Sequence, residues 1–472
     1  MENGFSDGNR APPQPHVALL ATPGIGHIIP LAEFAKILVA RYGFSVTIIT
    51  LAASACEAQS ALLSSLPPAI SSLALPPVPL DDLSPDARIE TIMSVAVVRS
   101  LPDLRRALSQ LQSSVNLVAL AADLFATDSF TVARELGLPP YLFFPTNLLA
   151  LSLILHIPEL DATVVGEYRD LPELRLPGCV PIPGPDILNP IQDRSNEVYR
   201  WMVHHGRRYR EADGIIVNTF DALEPEAAKV LRQPEPGRPP VYLVGPLTAE
   251  GSKDAECLRW LDQQPQDSVL FVSFGSGGTL SMAQTTELAL GLEMSGQRFL
   301  WVVRSPTDCG DVSEAYFTAQ SKADPFAFLP EGFADRMREV GLLVTSWVPQ
   351  VALLNHAATG GFLSHCGWNS TLETVKAGVP IIAWPLFAEQ RQNAVMLTKG
   401  AKIALRRRAE ANGLVPREEV ARVVRGLMEG DEGKAARRRV RDLREAAARG
   451  LEEGGDAYRA IEEVAIKWKG TN

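Results

Sequence analysis

A strand–turn–helix segment late in the chain carries the densest set of side chains able to do chemistry. The stretch GGFLSHCG is typical of a short buried strand that ends at a glycine, and NSTLETVKAG predicts a helix that starts near Asn369 and ends at Gly378. Backbone N–H groups at a helix start, together with the helix dipole, attract anions. His365, Asn369 and Ser370 add side-chain donors at the same turn. The pattern predicts a site that can hold a diphosphate without a metal ion.

Side chains on either side of this turn have the chemistry of a nucleotide site. Glu373, one turn into the predicted helix, is placed to accept hydrogen bonds from a ribose. Trp347 and Gln350 lie upstream, where we expect a separate strand end. The flat indole of Trp347 can stack on a base, and the amide of Gln350 can reach a sugar. Together these residues predict a nucleotide as the ligand.

A second group of residues, in the first half of the chain, has the chemistry of proton transfer. His27 follows Gly24-Ile25-Gly26 at a predicted strand–helix turn, where ligands of open α/β sheets bind. Asp123 ends the buried strand pattern LVALAAD at the same sheet edge, where a carboxylate can orient an imidazole. By position alone, a solvated turn histidine is the simpler interpretation of His27, and an N-cap or turn aspartate fits Asp123 equally well.

The segment from Trp347 to Gln390 resembles the donor-binding box of plant UDP-dependent glycosyltransferases. It has the opening Trp-x-x-Gln, the His-Cys-Gly-Trp-Asn-Ser core and the closing Gln of that box, and a chance match at so many fixed spacings is implausible. Many relatives carry Asp where this chain has Glu389, while a branch that glycosylates small phenols carries Glu. The implied UDP-sugar contacts are Trp347 at the uracil, Gln350 and Glu373 at the ribose, His365, Asn369 and Ser370 at the phosphates, and Trp368, Glu389 and Gln390 at the sugar, with Val348 and Gly367 in the same set.

The same family has a Gly-x-Gly-His motif and a strand-end Asp that form its catalytic pair, and these match His27 and Asp123. The implied reaction is a single displacement in which His27 removes a phenolic proton, the oxygen attacks the anomeric carbon and UDP leaves with inversion. Ser276, in the FGSGG turn, is expected to help hold the leaving phosphates, although a turn serine needs no ligand. The sequence has no Asp-x-Asp motif, which favours metal-free transfer. No metal and no cofactor are expected beside the UDP-glucose donor.

Within the family, the chain is most similar to the hydroquinone glucosyltransferase (arbutin synthase-like) branch in the stretches PGIGHIIPLAEFAK, DLF and AEQ. In the family, the closing Gln, here Gln390, accompanies UDP-glucose use. The resemblance implies glucose transfer to the hydroxyl of a small phenolic or related aromatic acceptor, with transfer to nitrogen or carbon as the alternative. Glu90 matches a position that faces the acceptor in some relatives, although the dipole of a helix explains an acidic first turn equally well. The other acceptor-pocket residues, each also compatible with plain core, are Phe125, Phe143, Phe144, Asn147 and Trp201.

Two other classes of function fit parts of the pattern. A nicotinamide-dependent oxidoreductase is disfavoured because the first turn lacks a third glycine and the strand VTIIT ends without an acidic residue for a ribose. A non-catalytic sugar or hormone binder of the same fold would need neither a base at His27 nor a carboxylate at Asp123.

Length and composition indicate two domains and a cytoplasmic location. The chain has 472 residues, 46% of them hydrophobic, which exceeds one comfortable domain. A net charge of −10 argues against nucleic acid or an anionic membrane as partner. Five scattered cysteines suggest neither disulfides nor a zinc site and fit a reducing compartment. We expect a monomer that binds a UDP-sugar and a small aromatic acceptor.

Alternating strand and helix patterns predict the α/β class with parallel sheets. Both HVALLATPG and SVLFVSFGS are typical of a first Rossmann strand and its turn, so the chain is expected to contain two facing Rossmann-like domains, the arrangement called GT-B. The predicted parts are a leader at 1–15, an acceptor domain at 16–250, a nucleotide-sugar domain at 251–454 and a final helix at 455–472. The resemblance implies that this helix crosses back to the first domain.

Overall fold

Two parallel β-sheets organise the chain. The computed structural model describes residues 14–51, 57–84, 86–249, 255–306, 325–345 and 347–470. In those residues the first sheet has the order β3-β2-β1-β4-β5-β6-β7 and the second β10-β9-β8-β11-β12-β13. The strands are β1 (Pro15–Leu20), β2 (Ser45–Leu51), β3 (Ile70–Leu75), β4 (Asn116–Asp123), β5 (Pro140–Phe144), β6 (Gly214–Val217), β7 (Val241–Leu243), β8 (Val269–Ser273), β9 (Arg298–Val302), β10 (Gly341–Val344), β11 (Thr359–Ser364), β12 (Ile381–Ala383) and β13 (Ala404–Arg406).

Helices cover the faces of both sheets. The α-helices of the described residues are α1 (Ile25–Tyr42), α2 (Glu57–Ser64), α3 (Ile89–Ser114), α4 (Ser129–Glu135), α5 (Leu148–Thr163), α6 (Glu197–Arg208), α7 (Pro225–Arg232), α8 (Glu256–Leu261), α9 (Met282–Ser295), α10 (Phe333–Met337), α11 (Gln350–Leu354), α12 (Trp368–Ala377), α13 (Gln390–Val395), α14 (Arg417–Met428), α15 (Asp431–Leu451) and α16 (Asp456–Lys469). Short 3-10 turns lie at Tyr168–Asp170, Gly184–Asp186, Asn189–Ile191, Tyr209–Glu211, Asp221–Leu223 and Pro325–Phe328, and a π-helical turn at Met396–Gly400. None of the helices described here is long and apolar enough to cross a membrane.

The central strands are continuous apolar runs because helices bury both faces of each sheet. In β4 every residue after Asn116 is buried, including the carboxylate of Asp123 at its end. Such two-sided burial is typical of parallel sheets in α/β proteins. The predicted α/β class, with two Rossmann-like units, is confirmed.

Each sheet reverses its strand order at one place. In the first sheet β1 pairs with both β2 and β4, and in the second β8 pairs with both β9 and β11. The helices that follow β1 and β11 begin at these reversals. Ligands of open α/β sheets bind outside the carboxyl ends of the strands at such switch points. The fold therefore provides two switch points, one in each half.

The last helix packs against the first sheet. Trp468 of α16 is fully buried and meets the rings of Phe34, Phe44 and Tyr141 edge-on, at centroid distances of 6.1, 6.2 and 5.2 Å. The helix thus returns from the second half of the chain to the first. Most of the leader predicted at 1–15, and the boundary predicted at residue 250, fall outside the described residues.

Candidate active site

His27 and Asp123 meet at the switch point of the first sheet. A glycine is required after β1, because Gly24 has φ 116°, and α1 then begins at Ile25 and places His27 in its first turn. Nδ1 of His27 lies 3.0 Å from Oδ2 and 3.1 Å from Oδ1 of Asp123. The aspartate is fully buried, and 13% of the histidine side chain is exposed. Since Nδ1 faces the carboxylate, Nε2 is the nitrogen left to act on a ligand.

The carboxylates of Glu90 and Glu389 lie near the His27–Asp123 pair. Burial by itself lowers the pKa of His27, but the Asp123 carboxylate beside it and the charges of Glu389 and Glu90 outweigh burial, so the pKa is raised. Burial also raises the pKa of Glu90 and of Glu389, and the charge of Glu389 adds to the rise at Glu90. Glu90 and Glu389, predicted for the acceptor and for the sugar, are therefore close enough to interact electrostatically with His27.

The switch point of the second sheet is a tight turn around His365. Cys366, the next residue, has φ 65°, a strained value for a residue with a side chain. The imidazole lies against two glycines: a Cβ on Gly275 would stand 2.6 Å from its Cε1, and one on Gly367 would stand 2.3 Å from its Nε2. Burial lowers the pKa of His365 to about 4, so the ring is neutral. In the part of the chain that the structure describes, its Nδ1 has no hydrogen-bond partner.

A polar network links the segment before this turn to α12. Gln350 opens the short helix α11 and does not end a strand as the sequence suggested, because Pro349 before it starts a helical turn. Its Nε2 donates to Oγ of Ser370 at 2.8 Å and to Oε2 of Glu373 at 2.6 Å. Burial raises the pKa of Glu373 to about 7. Trp347 is 65% exposed, whereas Val348 is buried in the core.

Two side chains of α12 bind across to the first half of the molecule. Nδ2 of Asn369 donates to the carbonyl of Gly26 at 2.8 Å, and Nε1 of Trp368 donates to the carbonyl of Asn218 at 2.7 Å. The indole N–H of Trp368 is therefore engaged by protein, while Oδ1 of Asn369 has no partner among the described residues. These contacts place the His365 turn directly beside the turn that carries His27. The two switch points thus form one cleft.

Glu389 and Gln390, at the end of the Trp347–Gln390 segment, also bind neighbouring groups of the protein. Oε1 of Gln390 accepts from the backbone N–H groups of Leu386 and Phe387 at 2.9 and 3.0 Å, which uses both lone pairs of that oxygen. The amide NH2 of Gln390 is then the group available to a ligand. Nδ2 of Asn393 donates to Oε1 of Glu389 at 3.3 Å and to the carbonyl of Cys366 at 2.9 Å.

The predicted acceptor residues divide into two groups. The ring of Phe125 lies 6.1 Å from the imidazole of His27 and 5.7 Å from that of His205, and Trp201 stacks on the same His205 ring at 5.8 Å. These rings form a continuous cluster that begins at His27, in which Phe125 is 8% exposed and His205 is fully buried.

Three other aromatic and amide residues have structural partners. Phe143 packs against Phe34, and Phe144 lies edge-on to Tyr209, both inside the core. Asn147 is fully buried, caps α5 through the Ala150 N–H and donates to Asn393. The geometry thus favours packing and capping for these three residues.

Ser276 follows β8 in the turn that faces His365. Arg304, two residues beyond the end of β9, donates to the carbonyls of Gly275 and Ser276 and so stabilises this turn. No group of three or more His, Cys, Asp or Glu side chains suited to a metal lies among the described residues.

Sequence reasoning missed several residues of the cleft. Thr22, Asn218, Arg304 and Asn393 all contact predicted site residues. Thr22 could have been predicted because it is a polar residue just beyond a buried strand at a switch point.

Comparison with known proteins assigns the class. The chain belongs to the UDP-glucoronosyl and UDP-glucosyl transferase family, whose sequence model matches residues 226–415. It is therefore a UDP-glycosyltransferase, as the donor box suggested.

Individual relatives cover nearly the whole chain. The hydroquinone glucosyltransferase of Rauvolfia serpentina is 53% identical, and the match covers 96% of this chain and 98% of that protein. Phytolacca americana UGT2, solved with UDP-2fluoro-glucose and pterostilbene, is 51% identical with a TM-score of 0.89, over 96% of this chain and 100% of that one. A UDP-glucosyltransferase from Polygonum tinctorium capable of glucosylating indoxyl, solved with 3,4-dichloroaniline, is 48% identical with a TM-score of 0.92, over 98% and 100%. The predicted GT-B arrangement and the resemblance to plant UDP-dependent glycosyltransferases are confirmed.

Proposed function

We propose that the protein transfers glucose from UDP-glucose to the hydroxyl of a small phenol, with inversion at the anomeric carbon. His27 is the base and Asp123 orients it. The proposal depends on the single cleft that the two halves form. Nδ1 of His27 lies 3.0 Å from Asp123. Asn369, from the helix that follows the His365 turn, donates a hydrogen bond to the carbonyl of Gly26, one residue before the base. A proton acceptor and a nucleotide-sugar site are thus side by side.

The acceptor class is supported by the aromatic ring beside the base. Phe125 lies next to His27, so a flat acceptor ring can pack near it with its hydroxyl at Nε2. The relatives' names also point to aromatic acceptors: hydroquinone for the Rauvolfia enzyme and indoxyl for the Polygonum enzyme.

The base step follows from the protonation states of phenol and imidazole. A phenol with a pKa of ~10 keeps its proton at neutral pH, so attack requires a group that takes the proton as the C–O bond forms. Nε2 of His27 accepts it, and the buried Asp123 carboxylate stabilises the resulting imidazolium. The phenolic oxygen forms its bond to the anomeric carbon while the bond to the UDP oxygen breaks, and UDP keeps that electron pair.

Charge on the departing UDP is met by fixed donors of the second half. The N-terminus of α12, the neutral imidazole of His365 and the hydroxyls of Ser276 and Ser370 surround the turn where the phosphates would lie. Because these groups are held in place before the reaction, they stabilise the leaving group with little reorganisation. We propose that this set, with no metal ion, is sufficient.

Glucose preference is assigned to Glu389 and Gln390. With its oxygen bound to the backbone, Gln390 offers only its NH2 donors, and Glu389 offers acceptors. A donor and an acceptor side by side can bind two neighbouring equatorial hydroxyls of glucose, while the axial hydroxyl of galactose would leave one of them unpaired.

Transfer to an aromatic amine is a second candidate reaction. The Polygonum structure with 3,4-dichloroaniline favours it, because that ligand presents nitrogen where a phenol presents oxygen. An aniline nitrogen attacks through a lone pair that needs no prior deprotonation, so this reaction would depend less on His27.

An acceptor screen with UDP-glucose tests the proposal. Hydroquinone, other small phenols and 3,4-dichloroaniline are incubated with the enzyme, and products are read by mass and by acid lability. We expect acid-labile monoglucosides of the phenols. Products that resist acid, or none from any phenol, would overturn O-transfer.

A further inference from the structure

A third side chain meets the His27–Asp123 pair. Thr22 lies two residues beyond the end of β1 and is 1% exposed. Its hydroxyl donates to Oδ1 of Asp123 at 2.5 Å, and its Oγ1 lies 3.3 Å from Nδ1 of His27. We propose that Thr22 is a positioning residue that fixes the orientation of the Asp123 carboxylate and the tautomer of His27. The inference rests on the proposed roles of that pair.

The carboxylate needs the threonine because it is fully buried. A buried carboxylate without hydrogen-bond donors is strongly destabilised. Among the residues that the structure describes, His27 and Thr22 are the side chains that donate to Asp123. Tyr209, whose pKa is raised by burial and by the charge of Asp123, instead donates its hydroxyl hydrogen to the carbonyl of Leu124 at 3.1 Å. Thr22 therefore holds Oδ1, while both carboxylate oxygens lie within 3.1 Å of Nδ1 of His27.

The tautomer of His27 follows from the same contacts. Three oxygen atoms lie within 3.3 Å of Nδ1: both carboxylate oxygens of Asp123 and Oγ1 of Thr22. The hydrogen of Thr22 is directed at Asp123, so all three oxygens present lone pairs to the ring nitrogen. Only a protonated Nδ1 satisfies them. The lone pair of the neutral ring is then on Nε2, where the acceptor proton must go.

Loss of the hydroxyl would weaken proton removal more than it weakens binding. Without Thr22 the carboxylate is free to turn about its Cβ–Cγ bond, and the population of the productive tautomer falls. The deficit should grow with the pKa of the phenol, since a phenol that is already ionised has no proton to give. A purely structural role for Thr22 would instead lower turnover of all phenols equally.

The test compares Thr22→Val, which keeps the shape, with Thr22→Ser, which keeps the hydroxyl. Kinetic constants are measured at saturating UDP-glucose for phenols that range from hydroquinone to 4-nitrophenol, beside wild type and His27→Ala. We expect Thr22→Val to lose about tenfold to a hundredfold in kcat with hydroquinone, the range of one hydrogen bond to a charged group. We expect little loss with 4-nitrophenol, an unchanged KM for UDP-glucose and near-wild-type rates for Thr22→Ser.

Three results would overturn the inference: full activity of Thr22→Val with hydroquinone, an equal loss across all phenols, or a Thr22→Ser variant as poor as Thr22→Val. The 4-nitrophenol rate shows whether each variant is folded. The two proposals fail in distinguishable ways. An active His27→Ala with hydroquinone defeats the base itself, whereas an inactive His27→Ala beside an active Thr22→Val defeats only the role of Thr22.

Discussion

The pKa of His27 is the single-residue property on which the proposed reaction depends most. Burial lowers it, but Asp123, Glu389 and Glu90 together raise it above its ordinary value of 6.5. A base must be neutral to accept a proton, so kcat/KM should fall as the pH falls through this raised pKa.

Replacing Asp123 should move the acid limb of the pH profile, which is the pH range in which kcat/KM falls. In Asp123→Asn the largest raising charge is gone while burial still lowers the pKa, so the limb should shift to lower pH and the maximal rate should drop by about 100-fold or more. Asp128→Asn is the matched control, because Asp128 pairs with His204 at 3.0 Å and does not contact His27. A limb that stays in place in Asp123→Asn would show that this pair does not set it.

Selection of the sugar can be tested at Gln390. Gln390→Glu keeps an oxygen for the N–H groups of Leu386 and Phe387 but removes the NH2 donors. In competition between equal UDP-glucose and UDP-galactose, the wild-type preference for glucose should shrink by about tenfold, since a lost hydrogen bond is worth ~1 kcal/mol or more. An unchanged ratio of products would show that Gln390 does not select the sugar.

Among the elements, the turn proposed to hold the phosphates has two glycines, Gly275 and Gly367, that leave room for the ring of His365. Gly275 has φ 75°, and a Cβ there would meet that ring at 2.6 Å. Gly296 has φ 68° with nothing within 4 Å of its would-be Cβ, so Gly296→Ala carries a similar backbone strain without the clash. Gly275→Ala should weaken UDP binding by about tenfold or more in calorimetry, whereas Gly296→Ala should lower only the melting temperature. Equal UDP affinity in both variants would contradict this account.

The strands that the sequence predicted and those it missed differ in burial. Strands such as β1, β4 and β8 are buried on both faces and stand out as apolar runs. The edge strand β3 reads ISSLAL with its middle exposed, and β13 has only three residues, so neither carries a clear period. The apolar stretch LLALSLILHI lies in the buried helix α5, where periodicity gives no signal.

The candidate site shows a similar division. Motifs at fixed spacing predicted His27, Asp123 and the His365 turn. Partners joined only by the fold stayed hidden, because Thr22 and Asp123 stand 101 positions apart, and Trp368 and Asn218 stand 150 apart.

At the scale of the whole molecule, a chain of net charge −10 has to bind an anionic donor. The attraction must therefore be local, and the proposed cleft supplies it through a helix N-terminus and neutral donors. Activity should then survive exhaustive treatment with EDTA. Loss of activity under EDTA, with recovery on adding Mg²⁺ or Mn²⁺, would contradict metal-free stabilisation of the leaving group.

Inverting transfer with His27 as the base is tested by the NMR spectrum of the product formed from UDP-glucose and hydroquinone by wild type and by His27→Ala. Wild type should give the β-O-glucoside, because the donor is an α-linked sugar and the displacement inverts. His27→Ala should give almost no product, although it still binds UDP. An α-glucoside from wild type, or wild-type turnover by His27→Ala, would contradict this mechanism.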